Sequence, residues 1–196
     1  MPTKLLKSVA LFGRELIANP GITGAAFPSS PFLGKRMASY IAPKTDGWIV
    51  ELGAGTGSIT QALLDHGIAP SKLITIEMSG KLVEHLQKRF PQLNIIQGDA
   101  AELQSIVDRA SGTSNTHIDY VVSSLPFRSL PDPMCESIIQ QIKQVLGSAG
   151  KLIQFTYDLR SKDFHHFTDF KRIDSAIVLP NIPPARVNLF EVSSKD

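Results

Sequence analysis

The chain has 196 residues, 42% of them hydrophobic, and a net charge of only +2, which suits one globular domain with an ample core and excludes a disordered or strongly polyionic chain. No apolar run approaches the roughly 20 residues that cross a bilayer, and the first residues lack a signal-peptide core and cleavage site. The single cysteine, Cys135, excludes an internal disulfide and suits a reducing compartment such as the cytoplasm.

Residues 3–18 read as an amphipathic helix, with Leu5, Val9, Phe12 and Leu16 on one stripe, ended by Asn19-Pro20-Gly21. Lys4, Lys7, Arg14, Lys35 and Arg36 against Glu15 leave residues 1–40 at net +4 and the remainder at −2. A basic arm on a near-neutral body predicts an anionic partner, a membrane surface or a nucleic acid. Ser30 then caps a helix with Pro31 at its first position, running to about Ile41. Strands follow at 48–52, 72–77, 93–97, 118–123 and 150–156, with helices near 58–66, 80–89, 100–109 and 132–146. That alternation builds parallel βαβ units. The end differs: 172–179 and 185–192 are joined by Pro180-Asn181-Ile182-Pro183-Pro184, too short for a crossover, so they form an antiparallel hairpin. The expected fold is α/β, a mostly parallel sheet with one antiparallel strand and helices on both faces. Residues 1–42 form an N-terminal helix, loop and lid helix on a core of 43–196.

The informative stretch is Trp48-Ile49-Val50-Glu51-Leu52-Gly53-Ala54-Gly55-Thr56-Gly57-Ser58. Glycines let the backbone turn tightly and approach a ligand at the carboxyl end of a parallel strand, the crevice of an open α/β sheet. The spacing is G-x-G-x-G, not the G-x-G-x-x-G of dinucleotide binders. Glu51, just before it, would repel a pyrophosphate and attract a cation, which favours S-adenosylmethionine. The second and third strands also end in acids. Glu77 is placed to accept two ribose hydroxyls, or is a solvated acid at a strand end. Asp99 is placed to accept from an adenine amino group, Gly98 leaving room for the ring; Gly-Asp is also an ordinary turn and cap. His165-His166 lack Cys or carboxylate partners at ligand spacing, so no metal is expected.

This series, with Ser124-Leu125-Pro126-Phe127 after the fourth strand, resembles the class I S-adenosylmethionine-dependent methyltransferases, whose Rossmann-like seven-stranded sheet has a late antiparallel strand. Within that class the chain looks most like the bacterial phospholipid N-methyltransferases. The matching segments are Asn19-Pro20, Gly24-Ala25-Ala26-Phe27-Pro28-Ser29-Ser30, the glycine loop, the 124–127 turn and Asn181-Ile182-Pro183-Pro184-Ala185-Arg186-Val187. It is also similar to the rRNA adenine dimethyltransferases, but Ser124 and Phe127 stand where those have Asn and Tyr. Their C-terminal helical module is not expected in a chain that stops at Asp196.

The resemblance implies that Gly53, Ala54, Gly55 and Gly57 line the methionine part of the donor, with Glu51 near its ammonium. Glu77 would hold the ribose, Met78 would pack on the adenine, and Gly98, Asp99 and Ala100 would meet the adenine edge. Ser29 and Ser30 would donate to the methionine carboxylate, though Ser30 also reads as a plain cap. Leu125, Pro126 and Phe127 would flank the methyl group, carbonyls receiving the amine and Phe127 walling the ammonium product; a loop aromatic folded back on the core is the alternative for Phe127. Tyr157, Asp158 and His165 are candidate proton acceptors. Arg186 is placed either to meet a phosphate or to form a salt bridge within the hairpin. The expected reaction is N-methylation of phosphatidylethanolamine towards phosphatidylcholine at the inner face of the membrane, contacted through residues 3–18 unless their apolar stripe only packs on the domain as a lid. RNA adenine methylation, small-amine methylation and a non-catalytic donor-binding scaffold are the alternatives.

Overall fold

The computed structural model describes residues 29–114, 116–160 and 165–193. The expected helix at 3–18, and the segments Asn19-Pro20 and 24–28, lie outside them. Twelve helices and strands follow in chain order: α1 (Pro31–Ala38), β1 (Trp48–Leu52), α2 (Ser58–Asp65), β2 (Leu73–Glu77), α3 (Gly80–Arg89), β3 (Asn94–Gln97), α4 (Leu103–Ser111), β4 (Ile118–Ser123), α5 (Asp132–Leu146), β5 (Lys151–Thr156), β6 (Phe170–Val178) and β7 (Ala185–Val192). They build one seven-stranded sheet of order β3-β2-β1-β4-β5-β7-β6. Strands β1 to β5 pair in parallel, and β7 inserts antiparallel between β5 and β6. The expected architecture is therefore the observed one.

Differences are confined to element ends. The helix after Ser30 stops at Ala38 rather than Ile41, because the following N–H groups of Tyr40 and Ile41 bond three residues back, to Met37 and Ala38, tightening the last turn out of α geometry. The helix expected from 100 begins as a 3-10 turn, Ala100–Glu102, before α4. The sixth strand starts two residues early, at Phe170, and is irregular between Arg172 and Asp174.

Both sheet faces are buried, as continuous apolar strands require. Helices α4 and α5 close one face over Val50, Leu52, Val121, Leu152 and Phe190. Helix α1 covers the other, over Ile49, Val122, Ile153 and Val187. A Cβ on Gly34 of α1 would lie 2.7 Å from Ala62 Cβ of α2, so this glycine permits their close crossing. Among the described residues no helix is long and apolar enough to cross a membrane.

The order reverses between β1 and β4, and a crevice opens at the carboxyl ends on either side of such a reversal. The strand tips there are stitched together. Gly53 N–H donates to Ile76 O at 2.9 Å, Gly98 N–H to Glu77 O at 3.1 Å and Ser124 N–H to Leu52 O at 2.9 Å. The pairing thus continues past the strands into the three loops that carry the candidate site.

Candidate functional site

The glycine loop is built on positive φ. Gly53, Gly55 and Gly57 lie at +70°, +58° and +84°, where a side chain is strained. A Cβ on Gly53 would sit 3.1 Å from Leu125 Cδ2, and one on Gly57 only 2.5 Å from Phe90 Cε2, whereas Gly55 has nothing within 4 Å. The outer glycines thus admit close packing, and the middle one leaves open space for a ligand. Ala54 is buried against α3 with Val83, Leu86 and Phe90.

Glu77 organises this loop. Its Oε2 accepts from Gly55 N–H and its Oε1 from Ser79 N–H, both at 2.9 Å, and it is only 5% exposed. The carboxylate thus joins the loop after β1 to the turn after β2, and each oxygen keeps a further lone pair. Met78 is half-buried beside it.

Glu51 departs from its expected place beside a donor ammonium. It is 0% exposed, and its carboxyl receives the Thr60 hydroxyl at 3.0 and 2.8 Å and the Thr75 hydroxyl at 3.3 Å. It is a buried pillar under the loop, because β1 points it into the sheet–helix interface. Burial pushes its pKa up to about 7. Between the usual 4.5 and 7 the folded state then holds a proton that the unfolded chain has released, so stability falls as pH rises through this window, by an amount of order 3 kcal/mol. Glu51→Gln, permanently neutral, is expected to gain several degrees of melting temperature over the parent between pH 5 and 8. A constant difference across that range would exclude a protonated Glu51.

Gly98 also serves differently from expectation. A Cβ there would meet Ile106 Cδ1 at 2.5 Å, so the missing side chain makes room for α4 and the core rather than for a ring. Asp99 caps the following turn, its Oδ1 accepting from Ala101 N–H at 2.9 Å. Ala100 is buried. Ser30 is a helix cap, its Oγ accepting from Leu33 N–H at 3.2 Å. Its own N–H donates to Asn181 Oδ1 at 3.0 Å, which ties α1 to the β6–β7 turn, while Ser29 is half-buried.

The turn after β4 overturns one expectation and restricts another. Phe127 does not wall the crevice. It is 4% exposed and packs edge-on against Phe167 at 5.3 Å, since apolar burial draws the ring under the sheet. The Leu125 carbonyl already accepts Phe127 N–H at 3.0 Å and Gln154 Nε2 at 3.1 Å. Leu125 and Pro126 are half-buried, the former leaning on Gly53.

At the rim, the Arg160 hydrogen bond at 2.8 Å, with Arg128 at 3.1 Å, holds the Asp158 carboxyl well below the usual range; it is a poor proton acceptor near neutrality. Tyr157 packs edge-on against Phe155 at 5.5 Å. The histidine pair does find carboxylates, supplied by the fold rather than by local spacing. His166 Nε2 lies 2.8 Å and His165 Nε2 3.8 Å from Asp132 Oδ1, and His166 Nδ1 is 3.8 Å from Glu136. Cys135 is buried, and burial pushes its thiol up to about 11, which leaves it inert. Arg186 donates to Ser175 Oγ at 3.0 Å and Leu159 O at 2.6 Å and forms no salt bridge within the hairpin.

Sequence reasoning missed Thr60, Thr75 and Gln154. Thr75 and Gln154 were detectable as polar residues inside apolar runs, Leu73-Ile74-Thr75-Ile76 and Leu152-Ile153-Gln154-Phe155; Thr60 carried no such signal.

Comparison with known proteins accords with this geometry. A family profile described as "Methyltransferase domain" matches residues 49–150, from β1 to the start of β5. An ornithine lipid N-methyltransferase of Singulisphaera acidiphila is 29% identical over 154 residues, 77% of this chain and 79% of that protein. A ribosomal RNA small subunit methyltransferase A of a Synechococcus strain is 31% identical over 96 residues, but these are 47% of this chain and 30% of that enzyme's length. Among solved structures, a TehB-like SAM-dependent methyltransferase of Corynebacterium glutamicum superposes with a TM-score of 0.61 at 18% identity, covering 95% of this chain and 97% of that one. The glycopeptide N-methyltransferase MtfA, bound to S-adenosyl-L-homocysteine, does so at 0.63 and 12%, over 85% and 91% of the two chains.

Proposed function

Because the chain belongs to the class I S-adenosylmethionine-dependent methyltransferases, we propose that its acceptor is the amine of a membrane lipid, phosphatidylethanolamine or a related aminolipid. The observation that carries this reading is the similarity to an ornithine lipid N-methyltransferase along most of both chains, where the rRNA small subunit methyltransferases A match over at most 51% of their own length.

The residues present fit the methyl donor. The space at Gly55 is what a closely approaching ligand needs, the lone pairs of Glu77 suit two ribose hydroxyls, and the carboxylate of Asp99 suits an adenine amino group. The donor supplies an electrophilic methyl on a sulfonium. The protein's part is to hold the amine in line and keep water out, and alignment of this kind is worth up to about 7–11 kcal/mol of barrier. The amine must arrive neutral, since a lysine-like pKa near ~10 leaves most of it protonated in water.

Two further features support a lipid. Arg186 has no carboxylate partner among the described residues, and its buried Nε has no hydrogen-bond partner; a guanidinium so placed suits a phosphate or carboxylate in the head group. Around the Ser30–Asn181 bond, Phe32, Leu179 and Ile182 are 57%, 70% and 81% exposed, an apolar rim that, together with the basic charge of residues 1–40, we assign to the anionic membrane surface.

Labelled donor should transfer its methyl to vesicles containing phosphatidylethanolamine or ornithine lipid, and not to RNA or ethanolamine. Clear transfer to RNA with none to either vesicle would reject this reading.

A further inference from the structure

We infer that the carboxamide oxygen of Gln154, with the hydroxyl of Ser124, receives the N–H groups of the amine that takes the methyl; this deepens the amine-methylation reading and rests on it. Among the described residues, four buried side-chain polar atoms lack a hydrogen-bond partner, and two of them are Gln154 Oε1 and Ser124 Oγ. Both lie at the β4–β5 tips. Gln154 pairs in register with Ser123, whose next residue opens the turn.

The orientation of the carboxamide is fixed by its surroundings. Nε2 donates to Leu125 O at 3.1 Å and to Phe155 O at 2.6 Å. Rotating the group by 180° would set its oxygen against two carbonyl oxygens, so the nitrogen must stay where it is. Both amide hydrogens are spent on the backbone, and Oε1 is left as an acceptor with nothing to accept. Gln154 is 4% exposed, and a polar group buried in that state is costly unless a partner arrives. The site also adjoins the donor loop, because the carbonyl that Gln154 clamps belongs to Leu125, whose side chain leans on Gly53.

An acceptor-only oxygen and a hydroxyl oxygen suit a neutral amine. Each takes one N–H, which leaves the nitrogen lone pair free to face the methyl carbon. The N–C bond forms as the C–S bond breaks, sulfur keeps the electron pair, and the methylated amine leaves as the cation. Gln154 is uncharged and so does not trap that product as a carboxylate would.

The test uses Gln154→Met and Ser124→Ala in the full chain, with the acceptor the parent enzyme uses best among lipid vesicles, soluble amines and RNA. Acceptor KM should rise about tenfold in Gln154→Met and several-fold in Ser124→Ala, with S-adenosylhomocysteine affinity within about twofold by calorimetry. Ser124→Ala removes a hydroxyl without an internal partner, so its melting temperature should hold or rise. If Gln154 only clamps the turn, its loss will weaken S-adenosylhomocysteine binding through Leu125 and Gly53, and Ser124→Ala will keep parental kinetics; that result overturns the inference. Transfer to soluble amines but not to lipid would reject the lipid reading alone. A parent chain inert towards every amine would overturn both.

Discussion

Glu77→Ala is expected to weaken S-adenosylhomocysteine binding by about a hundredfold or more, read by calorimetry. The carboxylate accepts two backbone N–H groups, from Gly55 and Ser79, and hydrogen bonds to a charged acceptor are worth about 1.5–3 kcal/mol each. The substitution therefore removes a proposed ribose ligand and unfastens the loop that leaves space at Gly55. The two contributions separate in Glu77→Gln. One amide oxygen can still serve one N–H, but the amide nitrogen then opposes the other. Melting temperature should recover most of the way to the parent, while affinity stays at least tenfold down. Unchanged affinity in Glu77→Ala would remove Glu77 from the donor site, and with it the cooperation of the β1 and β2 tips.

Apolar periodicity carried the architecture. Strand β7 is predicted at 185–192 and is found there, because its apolar run is bounded by Pro-Pro on one side and by polar residues on the other. The antiparallel pairing of β6 and β7 followed from the shortness of the 180–184 connection. What sequence could not supply was depth. Glu51 and Glu77 both stand in acid-ended strands, yet one is sealed beneath the loop and the other binds its backbone. Both point to one sheet face, since Glu51 pairs with Thr75, two residues before Glu77. The difference is that Glu51 lies one step deeper, where the hydroxyls of Thr60 and Thr75 close on it, while Glu77 stands at its strand tip beside the loop. Likewise Phe127 belongs to a turn beside the crevice, but its ring follows Phe167 into the core. Such choices depend on residues tens of positions away, as the histidine pair's link to Asp132 does. Gln154 went unread, although a carboxamide in an otherwise apolar strand is the signal that marks it.

The glycines divide into structural and ligand-facing positions, and alanine substitutions should separate them. Gly57→Ala places a methyl 2.5 Å from Phe90 Cε2 and 2.9 Å from Leu86 Cδ2, at φ +84°. Left-handed backbone costs a non-glycine residue about 1–2 kcal/mol, and overpacking adds about 1–3 kcal/mol. Phe90 is 3% exposed, so its ring has little room to retreat. At about 2–4 °C per kcal/mol for a chain of this size, the melting temperature should fall by about 5–15 °C. Gly55→Ala carries the backbone strain, at φ +58°, but meets nothing within 4 Å. Its melting temperature should fall by only a few degrees, while its methyl enters the space assigned to the donor and S-adenosylhomocysteine affinity drops at least about tenfold. The reverse pattern, with Gly55→Ala binding normally, would mean that the open side of the loop faces solvent alone and that the donor approaches from elsewhere.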